Sequence, residues 1–200
     1  MSASATVVLV AGPSGSGKSR LAALSGVPHV SLDDFYLDGD HPALPVTELG
    51  GERVIDWDDP RSWNCPAAVA AIEKLIRTGG VRAPVYRLAA NAAVGERAIE
   101  LGDASAVVAE GVFAPQALGP LRAAGLRVVP LWLDRSRTLN GVRRLARDLA
   151  ERRKPAHVLI FRGIALWRDE GRRRREALAL GFRPVGMASA RRLVAGLARR

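Results

Sequence analysis

Residues 6–19 read TVVLVAGPSGSGKS, and this stretch decides the fold. A β-branched apolar run ends at Gly12, a loop rich in glycine and serine follows, and the helix-like sequence RLAAL comes next. The loop fits the pattern GxxxxGK[ST] in the strand, loop and helix context that the pattern requires. A flexible Gly-Ser linker is the alternative, but it would not lie between a strand and a helix. The sequence therefore predicts a P-loop that binds a nucleotide.

Each residue type in this loop has a physical reason. Glycines let backbone N–H groups close around phosphate oxygens, and the start of the following helix favours anions. Lys18 can reach the β- and γ-phosphates, and the Ser19 hydroxyl can ligate magnesium. We expect ATP and Mg²⁺ as cofactors, with the preference between ATP and GTP left open. The expected nucleotide-binding residues of the loop are Gly12, Pro13, Ser14, Gly15, Ser16, Gly17, Lys18 and Ser19.

Three further apolar runs resemble buried parallel strands, at residues 27–32, 104–109 and 126–133. Pro130 interrupts the last run, so we expect that strand to be bent or short. Ligands of open parallel sheets bind at the carboxyl ends of the strands. The runs therefore predict a three-layer α/β fold with a mostly parallel sheet, and acids near the P-loop. The acids that follow the runs are Asp33 with Asp34, Glu110, and Asp134.

Length and composition bound the remaining choices. The 200 residues contain no repeat or low-complexity linker, so we expect one domain over residues 1–200. The net charge is +10, from 30 basic and 20 acidic residues. Much of the excess lies on a helical pattern between residues 143 and 175, without a nucleic-acid-binding motif. We expect a nucleotide and a small-molecule acceptor as partners, no nucleic acid and no membrane, with homo-oligomerisation left open.

A single cysteine, Cys65, excludes an internal disulfide and favours a cytoplasmic location. No NKxD-like guanine reader or DxxG switch is present, which disfavours a GTPase. A small-molecule kinase needs a carboxylate that accepts the hydroxyl proton, magnesium ligands and cations over the transferring phosphoryl group. Asp33 and Asp34, in LDDFYLDGD, are candidates for that carboxylate, although Asp and Gly in such a stretch also form turns.

The chain resembles the uridine kinase family, within the group that includes phosphoribulokinase and bacterial pantothenate kinase. The resemblance rests on the order of several segments over residues 6 to 154. The segments are GPSGSGKS, LDDFYLD for the family's D-S-F-Y, DWDDPRSW for F-D-H-P-D-A-F, PVYR for P-x-Y-D, AEGVFA for E-G-I-x-A, and RRLARDLAERRK for the arginine-rich lid. We therefore expect a helical lid at about residues 136–154.

The resemblance implies a role for each matching residue. Asp33 would be the catalytic base and act with Lys18, whereas Asp34 matches the family's serine and would be a bystander or a turn residue. Glu110 would help Ser19 to hold magnesium. Asp58 would bind sugar hydroxyls and Tyr86 would lie against the base or sugar, with a turn and the core as their alternative settings. The lid residues over the ATP phosphates would be Arg144, Arg147, Arg152 and Lys154.

The chain departs from the family where the acceptor should bind. Arg87 replaces an acid, and Asn91 stands where uridine kinases have a histidine. If Arg87 points inward, we expect an anionic acceptor and poor phosphorylation of uridine and cytidine. If it pairs with an acid such as Glu96, the pocket stays nucleoside-competent. The predicted function is ATP-dependent phosphorylation of a small hydroxylated metabolite, nucleoside-like by resemblance, with pantothenate, a sugar or a regulatory nucleotide-binding role as alternatives.

Overall fold

The apolar segment ahead of the P-loop forms the centre of a parallel sheet. In the computed structural model, which describes residues 5–49, 51–134 and 170–199, strand β1 (Thr6–Ala11) is buried along its whole length. The other strands of this sheet are β2 (His29–Ser31), β7 (Ala106–Glu110), β8 (Val128–Leu133) and β9 (Arg183–Val185). Their order is β2-β7-β1-β8-β9, and every neighbouring pair is parallel. The predicted α/β P-loop fold is confirmed.

The three predicted strand runs are present with shifted ends. The run predicted at residues 27–32 is a strand only at His29–Ser31, and a 3₁₀ turn, Leu32–Phe35, takes over directly. Asp33 and Asp34 therefore lie in a tight turn at the carboxyl end of β2. Glu110 closes β7 instead of following it. The acids nevertheless reach the same edge of the sheet as the P-loop, because all the strands are parallel.

Pro130 does not interrupt its strand, so the expectation of a short strand is wrong, while the alternative of a bent strand stays a prediction. Strand β8 runs through it, with Pro130 opposite Leu9 of β1. The Val7 N–H donates to the Arg127 carbonyl at 2.8 Å, so residues 127, 129 and 131 turn their backbone groups towards β1 and Pro130 turns away. On that other side, β9 pairs only from Leu131 onwards. The missing N–H therefore falls where no neighbouring strand needs it.

Helices cover both faces of the sheet and complete three layers. Alternate side chains of β1 enter two separate cores, one with Val7 and Leu9 and the other with Val8 and Val10. The first core also holds side chains of α2 (Cys65–Thr78), α3 (Ala114–Ala123) and α4 (170–179). The second holds side chains of α1 (Lys18–Ala23) and α5 (Met187–Leu197). Within the described ranges, no helix is long and apolar enough to cross a membrane.

Two antiparallel hairpins, which the sequence patterns did not predict, stand apart from the sheet. They are β3 (Val46–Leu49) with β4 (Glu52–Ile55), and β5 (Gly80–Arg87) with β6 (Ala92–Glu100). The second hairpin packs on the 3₁₀ turn that follows β2. It therefore covers the part of the chain that carries Asp33 and Asp34.

Candidate active site

The P-loop backbone has the shape that its glycines allow. Gly12 has a φ of +149°, and a Cβ there would stand 3.0 Å from Ser16 Oγ and 3.1 Å from the Leu133 carbonyl oxygen. Gly15 and Gly17 also have positive φ, at 84° and 96°. Only glycine adopts such backbone conformations without strain. The loop is therefore closed tightly against the end of β8, as a phosphate-binding backbone requires.

Lys18 is folded back over the loop and is almost entirely buried. Its Nζ donates to the carbonyl oxygens of Gly12 at 3.0 Å and Pro13 at 3.3 Å. Beside it, the Ser16 hydroxyl oxygen is buried and has no hydrogen-bond partner among the described residues. A buried cation and an unpaired hydroxyl in one loop suit an anionic, oxygen-rich ligand such as a polyphosphate.

Ser19, Glu110 and His29 form one polar group beside the loop. The Ser19 hydroxyl donates to Glu110 Oε1 at 2.9 Å, and His29 Nε2 lies 3.3 Å from the same oxygen. Burial alone would raise the pKa of Glu110, but the hydrogen bonds from His29 and Ser19 and the charge of Lys18 together lower it. Glu110 is therefore a carboxylate at neutral pH.

This group fits the magnesium ion that a P-loop kinase uses. Oε2 of Glu110 is buried and accepts no hydrogen bond from the described residues. An unpartnered buried carboxylate oxygen is costly, and oxygen ligands are those that magnesium prefers. In the described ranges, no cluster of three or more His, Cys, Asp and Glu side chains could hold a metal by itself. Ser19 and Glu110 could hold such an ion together with the phosphates of a bound nucleotide.

Asp33 lies between this group and the start of α3. Its Oδ1 accepts a hydrogen bond from the Val112 N–H at 3.0 Å. Burial raises the pKa of the Asp33 carboxyl and the charge of Glu110 raises it further, whereas Lys18 and the Val112 N–H lower it. Gly111 makes the approach possible, because a Cβ there would lie 2.8 Å from Asp33 Oδ1 and 2.7 Å from Leu32 Cβ. The glycine of the AEGVFA segment therefore makes room for the Asp33 carboxylate.

Asp34 is more than the bystander that the resemblance implied. Its Oδ1 accepts from the Tyr86 N–H at 3.2 Å, and its Oδ2 lies 3.4 Å from Arg97 Nη2. Burial raises the pKa of Asp34, and the Tyr86 N–H and Arg97 oppose that shift. Asp34 is a turn residue, as expected, but its side chain ties the 3₁₀ turn Leu32–Phe35 to the β5–β6 hairpin. We call this turn the catalytic turn below, after the predicted role of Asp33.

The loop after the turn holds the hairpin at a second place. Asp38 Oδ1 accepts from the Ala93 N–H at 2.8 Å, and the Gly39 N–H donates to the Asn91 carbonyl at 2.6 Å. Asn91 sits in the hairpin turn with a φ of 48°, a left-handed conformation that asparagine tolerates. The structure thus gives Asn91 an exposed turn position, and a substrate contact at this residue stays a prediction.

An aromatic cluster fills the space between the hairpin and the catalytic turn. The Tyr86 ring centroid lies 5.7 Å from that of Tyr36 and 6.3 Å from that of Trp57. Tyr86 Oη donates to the Leu37 carbonyl at 3.2 Å, and burial raises the pKa of its phenol to about 12. Tyr86 is therefore mostly buried, which agrees with the alternative that its side chain belongs to the core. It is part of the aromatic cluster with Tyr36 and Trp57.

Arg87 points away from that cluster. Tyr86 is buried and Arg87 is exposed, as strand alternation predicts for neighbouring residues. The suggested pairing with Glu96 is wrong, because Glu96 binds Arg82 instead, with Arg82 Nε 2.8 Å from its Oε2. The structure does not bring Arg87 to the aromatic side of the hairpin.

Asp58 lines a cavity of about 220 Å³ between the P-loop and α4. Its backbone N–H donates to Asp56 Oδ1 at 3.0 Å, and its carbonyl accepts from Arg173 Nη2 at 3.2 Å. The turn that was the alternative setting for this segment is seen at Asp59. This residue caps the next 3₁₀ turn and pairs with Arg61. Asp58 is thus placed beside Gly12 and Pro13, on the side of the loop that an acceptor could enter.

Two proteins of known name are similar to this chain in sequence, and both are uridine kinases. No family model matches the sequence. A uridine kinase from Lactobacillus johnsonii is 25% identical over 167 residues, covering 80% of this chain and 75% of that protein. A uridine kinase from Saccharomyces cerevisiae is 30% identical over 154 residues, covering 73% of this chain but only 29% of the yeast protein.

These relatives support a uridine kinase-like P-loop kinase family for this chain.

A solved structure agrees with this kinase family in fold. A protein from Silicibacter sp. TM1040, assigned as a fructose transport system kinase, superposes with a TM-score of 0.59 at 18% identity, covering 90% of this chain and 86% of the other. At that identity the similarity shows the fold alone. The family makes the chain a P-loop kinase, for which ATP is the expected phosphoryl donor.

The predicted roles of the lid residues stay untested, and the sequence analysis missed several residues near the site. The predicted lid, with Arg144, Arg147, Arg152 and Lys154, lies outside the described residues. His29, Asp38 and Arg97 were not predicted to matter. His29 could have been recognised, because strand alternation places it on the same face of β2 as Ser31 and Ser31 pairs with Glu110. No local signal marks Arg97, since its partner is distant in sequence.

Proposed function

We propose that this kinase transfers the γ-phosphoryl group of ATP to a hydroxyl of a small metabolite, with Asp33 as the general base. The observation that carries the proposal is the position of the Asp33 carboxyl. It lies at the end of β2, beside Gly111, and its pKa responds to the charges of both Lys18 and Glu110. A base near the phosphate-binding cation and the magnesium side chains is the arrangement that phosphoryl transfer to a hydroxyl requires.

The environment of Asp33 suits this task. A carboxylate with its ordinary pKa is a weak base at neutral pH, and burial makes it stronger by raising the pKa. The Val112 N–H fixes one carboxylate oxygen at 3.0 Å and leaves the other for the hydroxyl proton. Asp33 would therefore accept the proton as the acceptor oxygen attacks the γ-phosphorus, and the bond to the leaving ADP oxygen would break.

Other side chains would hold the reacting groups. Lys18 would leave its carbonyl partners for the β- and γ-phosphates and offset their charge. Ser19 and Glu110 would bind magnesium, which neutralises charge on the phosphates and orients them. No other group would have to move for the proton transfer, since Asp33 is already fixed. Catalysis would thus rest on positioning and on preorganised charge.

A nucleoside is the first acceptor class that we propose. Family membership supports it, as does the aromatic wall of Tyr36, Trp57 and Tyr86, because aromatic rings stack on flat bases. The exchanges at Arg87 and Asn91 were the sequence-based reason to expect poor phosphorylation of uridine. They are a weaker reason now, because Arg87 is exposed and Asn91 is a turn residue. A sugar or pantothenate is the second class, since Asp58 in the cavity wall could bind hydroxyls of any polyol.

The test is acceptor-dependent release of ADP, measured with ATP and magnesium across nucleosides, sugars and hydroxy acids. Phosphorus NMR of the product should show a new phosphate ester. We expect at least one acceptor to raise ADP release well above the rate with water alone, and Asp33→Asn to remove that increase. A chain that binds ATP tightly but gives no ester with any acceptor would instead be a regulatory nucleotide-binding protein.

A further inference from the structure

Two side chains approach the same oxygen of the Glu110 carboxylate. From α1, the Ser19 hydroxyl donates to Oε1 at 2.9 Å, and from β2 the Nε2 atom of His29 lies 3.3 Å from that oxygen. The other oxygen, Oε2, is buried and accepts no hydrogen bond from the described residues. The carboxylate is therefore held at one oxygen and leaves the second one for another partner.

His29 acts as a donor in this contact. Glu110 is ionised at neutral pH, so both of its oxygens can only accept hydrogen bonds. The Nε2 atom of His29 must then carry a hydrogen, whether the ring is neutral or charged. A ring nitrogen that carries a hydrogen cannot bind a metal. Through this atom, His29 therefore acts on the site by way of Glu110.

The central sheet fixes the distance between His29 and Glu110. Strands β2 and β7 pair in parallel, with His29 opposite Val108 and Ser31 opposite Glu110. Side chains two apart on a strand share a face, so the His29 ring lies diagonally across from Glu110. The side chain of His29 is 24% exposed and that of Glu110 is 3% exposed. The hydrogen bond thus joins two mostly buried side chains on neighbouring strands.

Ser19 cannot hold Glu110 in the same way once magnesium is bound. In the magnesium site described above, the Ser19 oxygen would ligate the ion. Magnesium demands near-ideal octahedral geometry, so the ion would then decide where this oxygen lies. His29 has no such second task. It is the donor that can hold Oε1 of Glu110 in one place both with and without the ion.

We propose that His29 is a positioning residue for magnesium, whose Nε2 hydrogen bond holds Oε1 of Glu110 and keeps Oε2 available to the ion. The proposal rests on the proposed function, because it needs the magnesium site of a P-loop kinase. Hydrogen-bond partners of metal ligands fix the orientation of those ligands. Their loss costs about 10- to 100-fold in metal affinity or activity.

A plain structural contact is the competing explanation of the His29–Glu110 pair. In that case His29 only satisfies a buried carboxylate, and its loss would lower stability without regard to magnesium. Lys18 and the loop backbone, rather than Glu110, would hold a nucleotide without metal. The two explanations therefore differ in whether loss of His29 weakens nucleotide binding only when magnesium is present.

The experiment measures magnesium binding apart from turnover. Calorimetric titrations give the affinity for a non-hydrolysable ATP analogue in EDTA and over a series of magnesium concentrations. His29→Leu removes the donor and keeps much of the volume, whereas His29→Gln has a similar size and an amide that can donate. His41→Ala is the control, because His41 is exposed in a loop. Melting temperatures without ligand show whether each variant is folded.

We expect magnesium to tighten binding of the analogue to the wild-type protein. In His29→Leu, the magnesium concentration that gives half of this effect should rise about 10- to 100-fold. The affinity in EDTA should change by less than about threefold, because the metal-free nucleotide does not use Glu110. His29→Gln should recover part of the loss, since its amide can donate to Oε1, and His41→Ala should match wild type.

Other outcomes overturn the proposal in distinguishable ways. Equal weakening with and without magnesium, or a lower melting temperature with unchanged magnesium dependence, would make the His29–Glu110 pair a structural contact only. Absence of any magnesium effect in the wild-type protein would refute the magnesium site and with it the role of His29. The proposed function fails separately, if no acceptor stimulates release of ADP, because these titrations use no acceptor.

Discussion

The nucleotide side of the site is formed mainly by one backbone loop, whereas the proposed acceptor side is formed by side chains of several segments. On the nucleotide side, one continuous segment from Gly12 to Ser19 supplies a backbone loop, and Glu110, which is distant in sequence, contacts it through Ser19. On the acceptor side, side chains from the catalytic turn, the 57–63 segment, the β5–β6 hairpin and α4 meet. Asp34 and Asp38 accept hydrogen bonds from backbone N–H groups of the hairpin and hold it in place.

This difference decides which residues of the site can be exchanged and which cannot. A backbone cradle with a lysine binds any nucleoside triphosphate in the same way, so its residues have little freedom. A pocket made of side chains on a separate hairpin can exchange one residue at a time without disturbing the sheet. Asp33 lies at the border, since its carboxyl is hydrogen-bonded to the Val112 backbone and would face the acceptor under the proposed function. The largest losses should therefore come from the nucleotide side and the border, and the smallest from the outer face of the hairpin.

Asp33→Asn should have the largest effect. The amide keeps the shape and can still accept from the Val112 N–H, but it cannot take a proton, so we expect transfer to fall about 10²- to 10⁴-fold while ATP binding persists. The same change should raise the melting temperature at neutral pH. The folded pKa of Asp33 is raised, so its ionised form costs stability above that pKa, and the cost disappears as pH falls through it. Activity assays and thermal scans of one preparation check both.

Lys18→Ala should come next. It removes the buried charge over the β- and γ-phosphates and leaves the backbone cradle, so transfer should fall on the order of 10²- to 10³-fold, with weaker nucleotide binding. Lys74→Ala, on the exposed side of α2, is the control and should behave as wild type. Turnover and calorimetric ATP titrations measure the two effects. If Lys18→Ala keeps wild-type turnover, the nucleotide side has been misread.

Gly111→Ala should disturb the border between the two sides. The new Cβ would meet Leu32 Cβ and Asp33 Oδ1 at 2.7 and 2.8 Å, so the catalytic turn must shift. We expect a loss of stability of about 1–3 kcal/mol, together with reduced transfer. Gly119→Ala in α3 is the matched control, since nothing lies within 4 Å of its added Cβ. Equal behaviour of the two variants in denaturant titrations would show that Gly111 is not needed for the approach of Asp33.

Arg87→Ala should have the smallest effect. Arg87 is exposed on the outer face of the hairpin, so kcat/KM for any acceptor and the melting temperature should stay near the wild-type values. A selective loss for anionic acceptors in this variant would show that Arg87 contributes to acceptor choice.

The sequence predicted the nucleotide side well because its signal is local. The P-loop, the parallel strands and the turn at Asp33 follow from neighbouring residues, and strand ends were wrong by only a few positions. Pro130 was misjudged because the neighbours of a strand cannot be read from the strand itself. The missing N–H of Pro130 would matter only if a strand paired with Pro130 on the side away from β1. The pairing of β8 with β9 begins one residue later, at Leu131.

The acceptor side could not be predicted because its contacts join distant segments. The hairpins carry little alternation, since β6 is exposed at most positions and buried fully only at Ile99. The choice of Arg87 came from alignment with a family motif, whereas the inward position belongs to Arg97 through the pairing of β5 with β6. The resemblance made Asp34 a bystander or a turn residue, and it could not reveal the contacts of its side chain because Tyr86 and Arg97 lie more than 50 residues away.

The pH dependence of single-turnover phosphoryl transfer tests the central claim most directly. Enzyme saturated with ATP and magnesium is mixed with the best acceptor over the acid range in which tryptophan fluorescence reports the folded state. If the buried Asp33 carboxylate is the base, the rate should fall on the acid side with an inflection above the ordinary value of 3.8, because burial raises its pKa. The residual rate of Asp33→Asn should lack this inflection, and Asp34→Asn should keep it. An inflection that survives unchanged in Asp33→Asn, or one that disappears in Asp34→Asn alone, would contradict the account.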